Sequence, residues 1–294
     1  GSNIKVAHLD QGFNQNHSEI KRRTIVGQGY NNTDRLGQPG GSVADHGHKS
    51  LMTLGAEKSN NIGSAGVAPN VQMIPYHAEG YWEMEAAVKH AKAKGVHIIA
   101  SSSAGPVYTW TTVFMWLIIP IGFFTPVIDT AWHGYARAID SAVDSGIVFI
   151  TSAGNDRKSY NEYIPAALPS VITVGYVAPI YQERCRNRLS YSYPPPSWTP
   201  SGSEALSIGN LSNFGDNLIW APGDYILVSD RLHESEFKNY SGTSAASPFV
   251  AGVVALMKSR NPDLTPSCIK QILRDSQNQG VPVKIDKGTH PNFP

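Results

Sequence analysis

The sequence predicts a three-layer α/β domain with a mostly parallel central sheet and helices on both faces. Three observations lead there: short, nearly continuous apolar runs rich in β-branched residues, intervening segments with helical spacing, and the regular alternation of the two. The runs IKVAHL (4–9), VQMIPY (71–76), VHIIASS (96–102), GIVFITS (146–152) and VITVGYV (171–177) are each short enough to be strands. Their lack of polar alternation suits strands covered on both sides. Between them, WEMEAAVKHAKAKG (82–95) and YARAIDSAVDSG (135–146) carry helical periodicity and end at Gly95 and Gly146, which suit a C-terminal cap. A last helix begins within SGTSAASPFVAG, with Pro248 expected in its first turn, where a missing N–H costs little.

With 294 residues the chain has enough material for one large core, so a single domain over 1–294 is the simplest expectation. A hydrophobic content of 41% and a net charge of +1 describe an ordinary globular protein and argue against a nucleic-acid partner. Cys185 and Cys268 are the only cysteines, and they form neither a disulfide framework nor a metal-ligand spacing. Gly1 and Ser2, ahead of the first strand, read as an expression scar on a trimmed domain.

Open parallel sheets bind ligands at the carboxyl ends of their strands. Asp10 ends the first run in AHLDQG, His46 lies in ADHGHKS, and Ser244 lies in SGTSAAS ahead of a helix. Asp, His, Ser is one of the chain orders of a nucleophilic triad, in which a carboxylate orients an imidazole that takes the proton of an attacking hydroxyl. Each residue alone has a plainer reading, as a turn aspartate, a structural histidine or a helix cap. A metal-dependent hydrolase centred on Asp45, His46 and His48 is the competing enzyme class. Two alternating histidines do not make a catalytic zinc site without a third ligand, and no HExxH stands in the chain.

The flanks of these residues resemble the subtilisin-like serine proteases, the subtilases. IKVAHLDQG resembles the family's strand and Asp-x-Gly block, DHGHKS its His-Gly block, and GSAGVAP (63–69) its small-residue lead into a core strand. FITSAGND (149–156), IPAALPSVITVG (164–175), SNFG (212–215), APG (221–223) and YSGTSAASPFVAG follow in the family's order. The resemblance implies the three-layer subtilisin-like fold and a serine endopeptidase working through an acyl-enzyme. It assigns Asp10 as orienting carboxylate, His46 as general base and acid, Ser244 as nucleophile and Asn155 as oxyanion donor. It also implies substrate contacts along Ser102, Ser103, Ala104 and Gly105 and along Ser152, Ala153 and Gly154, a protein or peptide substrate, and an exported enzyme. No cofactor is implied; calcium occurs in the family, but no ligand set is identified here. A peptide-processing transferase or macrocyclase on the same fold, or an inactive interaction module, are the alternatives.

Several positions depart from the family pattern. Gly47, His48, Lys49, Ser50, Leu51 and Met52 stand where Gly-Thr-His-Val-Ala-Gly is usual. His48 and Lys49 are therefore expected beside the base, lowering its pKa, touching substrate or facing solvent. Ala245 and Phe249 replace Met and His, and Ala104 replaces a glycine whose absent side chain would leave the first specificity pocket wider. The end of the chain, 280–294, lacks the family's closing Gly-x-Val/Ile-Asn.

Two insertions are expected, at about 107–131 and 181–207. The first holds an uncharged stretch, 107–128, nearly long enough to span a bilayer. Pro120, Gly122 and Pro126 would break such a helix, and the run is embedded between core elements. A hydrophobic flap beside the substrate cleft is the favoured reading, against a self-packed loop, a membrane-surface contact or a protein contact. The second, rich in Pro, Ser and Tyr, reads as a surface loop.

Overall fold

Successive side chains of a strand point to opposite faces, so a run that is apolar throughout needs cover on both sides. The chain meets this need with two helical layers. The structure, a computed structural model, describes residues 3–24, 43–106, 125–179 and 206–279. In chain order these form β1 (Lys5–Asp10), α1 (Val43–Gly55), β2 (Gln72–His77), α2 (Tyr81–Ala93), β3 (Ile98–Ser101), β4 (Gly105–Pro106) and α3 (Thr125–Asp144). There follow β5 (Val148–Ser152), β6 (Tyr163–Ile164), β7 (Ile172–Pro179), β8 (Leu206–Ile208), β9 (Ile219–Pro222), β10 (Ile226–Ser229), β11 (Phe237–Tyr240), α4 (Thr243–Arg260) and α5 (Pro266–Gln279).

Among the described residues the main sheet has seven strands, ordered β2-β1-β3-β5-β7-β8 with β9 also paired to β7. Every pairing is parallel except β7 with β8. Val6, Ile98, Ala100, Val148 and Ile150 face one layer, packing with Leu51 and Met52 of α1, Val250 and Val254 of α4, and Ile269 of α5. Ala7, Leu9, Ile99 and Phe149 face the other, against Met84 and Val88 of α2 and Tyr135 and Ile139 of α3. By the same alternation His8 and Asp10 share the face of Val6, toward α1 and α4, and this places polar chemistry under those two helices.

All five predicted strands are present, with ends shifted by up to two residues, and Gly95 and Gly146 follow α2 and α3 at positive φ. The helix expected over 135–146 begins ten residues earlier, at Thr125. Pro126 therefore falls in its first turn, where the missing N–H breaks no intrahelical bond, and 125–131 belong to a core helix rather than to the expected insertion. The rest of that insertion (107–124), nearly all of the one expected at 181–207, Cys185 and the closing 280–294 lie outside the described residues. No helix among the described residues is long and apolar enough to cross a membrane.

Candidate active site

Asp10 is the last residue of β1 and is buried. Its Oδ1 accepts from the Gln11 N–H at 2.7 Å and meets His46 Nδ1 at 2.7 Å, while its Oδ2 accepts from Ser50 Oγ at 3.0 Å. His46 and Ser50 lie on one helix, α1, four residues apart, so both project toward the same strand end. Close approach of α1 requires Gly47: a Cβ there would stand 2.3 Å from the Gly12 carbonyl oxygen. The glycines of the Asp-x-Gly and His-Gly blocks thus let helix and strand end meet within hydrogen-bond distance.

The pairing sets the protonation states. Burial alone would push the Asp10 carboxyl up, but the hydrogen bond and charge of His46, with smaller help from His8 and Gln11, hold it below its ordinary value. His46 is disfavoured as a cation by burial, yet its hydrogen bond to Asp10 and the carboxylate charge outweigh this and raise it. An ionised carboxylate only accepts, so Nδ1 carries the proton and neutral His46 presents a bare Nε2. Lys49 lowers His46 and Asp45 raises it; the two pair with each other at 2.6 Å on α1. His48 does not join them. It is fully buried with its ring 4.8 Å from that of His17, and burial lowers it to about 3, so the expected second imidazole beside the base is a neutral interior residue.

Ser244 is the second residue of α4, where backbone N–H groups have no acceptor within the helix. The chain enters through Gly242 at φ 110°, a conformation suited to glycine. Asn155 follows β5 and lies against this turn, its Oδ1 accepting from the Thr243 N–H at 3.0 Å and from Thr243 Oγ1 at 3.1 Å. Because a backbone N–H is only a donor, the amide oxygen must face it, leaving Asn155 Nδ2 as a donor with no hydrogen bond among the described residues. Asn213, fully buried, steadies the turn bearing Asn155: its Oδ1 accepts from the Asp156 and Lys158 N–H groups at 3.0 Å, and its Nδ2 donates to the Ala153 carbonyl at 2.8 Å.

Pro248 lies in the second turn of α4, not the first. It cannot donate to the carbonyl four residues back, that of Ser244. Tyr240 supplies the missing donor, its hydroxyl reaching the Ser244 carbonyl at 2.9 Å. The same hydroxyl lies 2.7 Å from Ser50 Oγ and 3.4 Å from His46 Nε2, and the two rings meet edge to face. Ser244 Oγ donates to the Ser102 carbonyl at 3.1 Å. Tyr240 thus touches both His46 and Ser244, while His46 is also held by Asp10 and Ser244 Oγ by the Ser102 carbonyl.

The remaining candidate residues flank Ser244. Ser102 and Ser103 leave β3 in a tight turn in which Ser101 Oγ donates to the Ser103 carbonyl at 3.1 Å, and Gly105 pairs with Ile164 in the β4–β6 ladder. Ala104 packs against a small apolar cluster with Ala153, Tyr160 and Tyr163. Ser152 and Ala153 are buried at the end of β5, and Gly154 spends its N–H on Thr243 Oγ1 and its carbonyl on the Asn213 N–H. Beneath the site, His8 Nε2 stands 3.6 Å from Asp10 Oδ2 and 3.4 Å from Ser102 Oγ, and burial lowers it to about 4. Sequence reasoning missed the roles of Ser50, Tyr240, Asn213 and His8. Each lies in a block already singled out, His8 in IKVAHLDQG, Ser50 in DHGHKS, Asn213 in SNFG and Tyr240 at the head of YSGTSAASPFVAG, but nothing in the sequence says that they meet. Among the described residues no three His, Cys, Asp or Glu side chains gather as metal ligands.

A family model described as the subtilase family matches residues 1–290. Subtilisin DY of Bacillus licheniformis is 29% identical over 280 residues, covering 93% of this chain and 83% of that protein. The major intracellular serine protease of Bacillus subtilis (strain 168) is 28% identical over 88% of this chain and 69% of its own length. Among solved structures, a cold adapted subtilisin-like serine proteinase superimposes with a TM-score of 0.66 at 23% identity, over 97% of this chain and 85% of that one, a likeness of fold.

Proposed function

Because the chain belongs to the subtilase family and is a subtilisin-like serine protease, a hydrolase, we propose that it cleaves peptide bonds through Ser244, His46, Asp10 and Asn155. The 2.7 Å bond from Asp10 to His46, formed beside a serine at an open helix N-terminus, carries the reading. Ser244 Oγ leaves the Ser102 carbonyl and attacks the scissile carbonyl carbon as its proton passes to the bare Nε2 of His46. The Asp10 carboxylate holds the imidazole in the required tautomer and stabilises the imidazolium. Negative charge forming on the carbonyl oxygen meets the Ser244 N–H and Asn155 Nδ2, both unspent among the described residues, at the positive end of α4. His46 returns the proton to the leaving amine, and water then attacks the acyl-enzyme with His46 again as base. The turn from Ser102 to Gly105 and the segment from Ser152 to Gly154 form the walls between which an extended peptide lies.

A peptide substrate followed by mass spectrometry tests the reading. The expected products are two fragments that together contain one added water, absent with Ser244→Ala. Fragments joined to an added amine in place of water would favour transfer, and cleavage persisting in Ser244→Ala would remove the serine mechanism.

A further inference from the structure

Asp10 and His46 are joined twice, once directly and once through two hydroxyls. From Asp10 Oδ2 the second path runs to Ser50 Oγ (3.0 Å), to Tyr240 Oη (2.7 Å) and to His46 Nε2 (3.4 Å). Both hydroxyls between the carboxylate and the imidazole belong to residues that the reaction itself does not use.

Counting protons shows what this path distinguishes. Ser50 has one hydrogen, and the ionised Oδ2 is its strongest acceptor. Tyr240 also has one hydrogen, which it shares between Ser50 Oγ at 2.7 Å, whose own hydrogen lies on Asp10, and the Ser244 carbonyl at 2.9 Å, which Pro248 leaves without an intrahelical donor. Tyr240 Oη then offers Nε2 a lone pair and no hydrogen. Neutral His46, whose Nε2 is itself a bare acceptor, gains nothing from that contact. Protonated His46 gains an acceptor for its second N–H.

We propose that Tyr240 is a positioning residue that accepts a hydrogen bond from Nε2 of protonated His46, favouring the resting base in its charged form and raising the pH at which the enzyme becomes active. The inference rests on His46 being the general base. Other groups facing His46 are Asp10 and, beyond it, neutral His8 from β1, with Lys49 and Asp45 paired on its own helix. Tyr240 stays uncharged, because burial and the Asp10 charge push its ionisation well above the ordinary phenol value.

The test is the pH profile of kcat/KM, each variant normalised to its own plateau. Tyr240→Phe keeps the ring and removes the acceptor. One pH unit below the wild-type half-activity point, it is expected to retain about two- to threefold more of its plateau activity, the effect of losing one modest hydrogen bond to the charged form. Purely structural damage would lower kcat/KM equally at every pH, so a half-activity point that stays put, or rises, in folded Tyr240→Phe overturns the proposal. A wild-type profile with no acid limb would instead overturn the assignment of His46 as base.

Discussion

Asn155 shows how a single side chain is given one task by its neighbours. Thr243 occupies its oxygen, so its nitrogen is the part left free to donate among the described residues. Asn155→Ala is expected to lower kcat by about 10²–10³-fold with little change in KM, the size of effect known for the oxyanion asparagine of a subtilisin. Steady-state kinetics check this, and a rise in KM at constant kcat would assign Asn155 to ground-state binding. His46 must be neutral to accept a proton, and its folded pKa is raised. Activity is therefore expected to fall with decreasing pH at a higher pH than an ordinary histidine, 6.5, would give. That Asp10, His46, Ser244 and Asn155 would gather at one end of the sheet was legible because each sits in a short run whose glycines and small residues serve the same local geometry. Ser50 and Tyr240 were not, since 190 residues separate two hydroxyls that only the folded chain brings together. His48 was misread for a related reason: next to the base in sequence, it lies on a different face of α1 and packs with His17.

At the level of elements, the site depends on how closely α1 and α4 approach the ends of the strands. Gly47→Ala places a methyl 2.3 Å from the backbone oxygen of Gly12, which cannot yield as a flexible side chain would. The helix must move, lengthening the 2.7 Å bond from His46 to Asp10. Loss of more than tenfold in kcat/KM is expected, together with destabilisation of about 1–3 kcal/mol, read from activity and from denaturant unfolding. Unaltered kinetics would show that α1 has slack the packing does not reveal. The strands were readable from their apolar runs because burial on both faces imposes that pattern. The start of α3 was not, because Pro126 signals a break inside a helix and a start in its first turn, and the backbone alone distinguishes them. Pro248 posed the converse problem, lying in the second turn with its lost donor replaced by the hydroxyl of Tyr240, a residue outside the helix.

For the molecule as a whole, the face of the sheet that holds the site also holds neutral buried histidines. His8 and His48 have folded pKa values near 4 and 3, below the 6.5 expected when unfolded. Their contribution to stability is fully present above 6.5 and is lost as pH falls toward those values, because only the unfolded chain takes up the protons. Unfolding midpoints in urea are expected to drop steadily between pH 6.5 and 4. His48→Leu should flatten that slope by on the order of 1 kcal/mol per pH unit, since both ring nitrogens of His48 lack hydrogen-bond partners among the described residues and an apolar side chain leaves nothing unsatisfied there. An unchanged slope would mean that His48 finds a way to charge in the folded state. The claim on which the rest depends is that Ser244 is an activated nucleophile. Intact-mass and peptide mapping after treatment with a fluorophosphonate tests it most directly. The expected result is one adduct per chain, on Ser244, absent in Ser244→Ala and greatly slowed in His46→Ala. Peptidase activity without any adduct, abolished by a chelator, would contradict it.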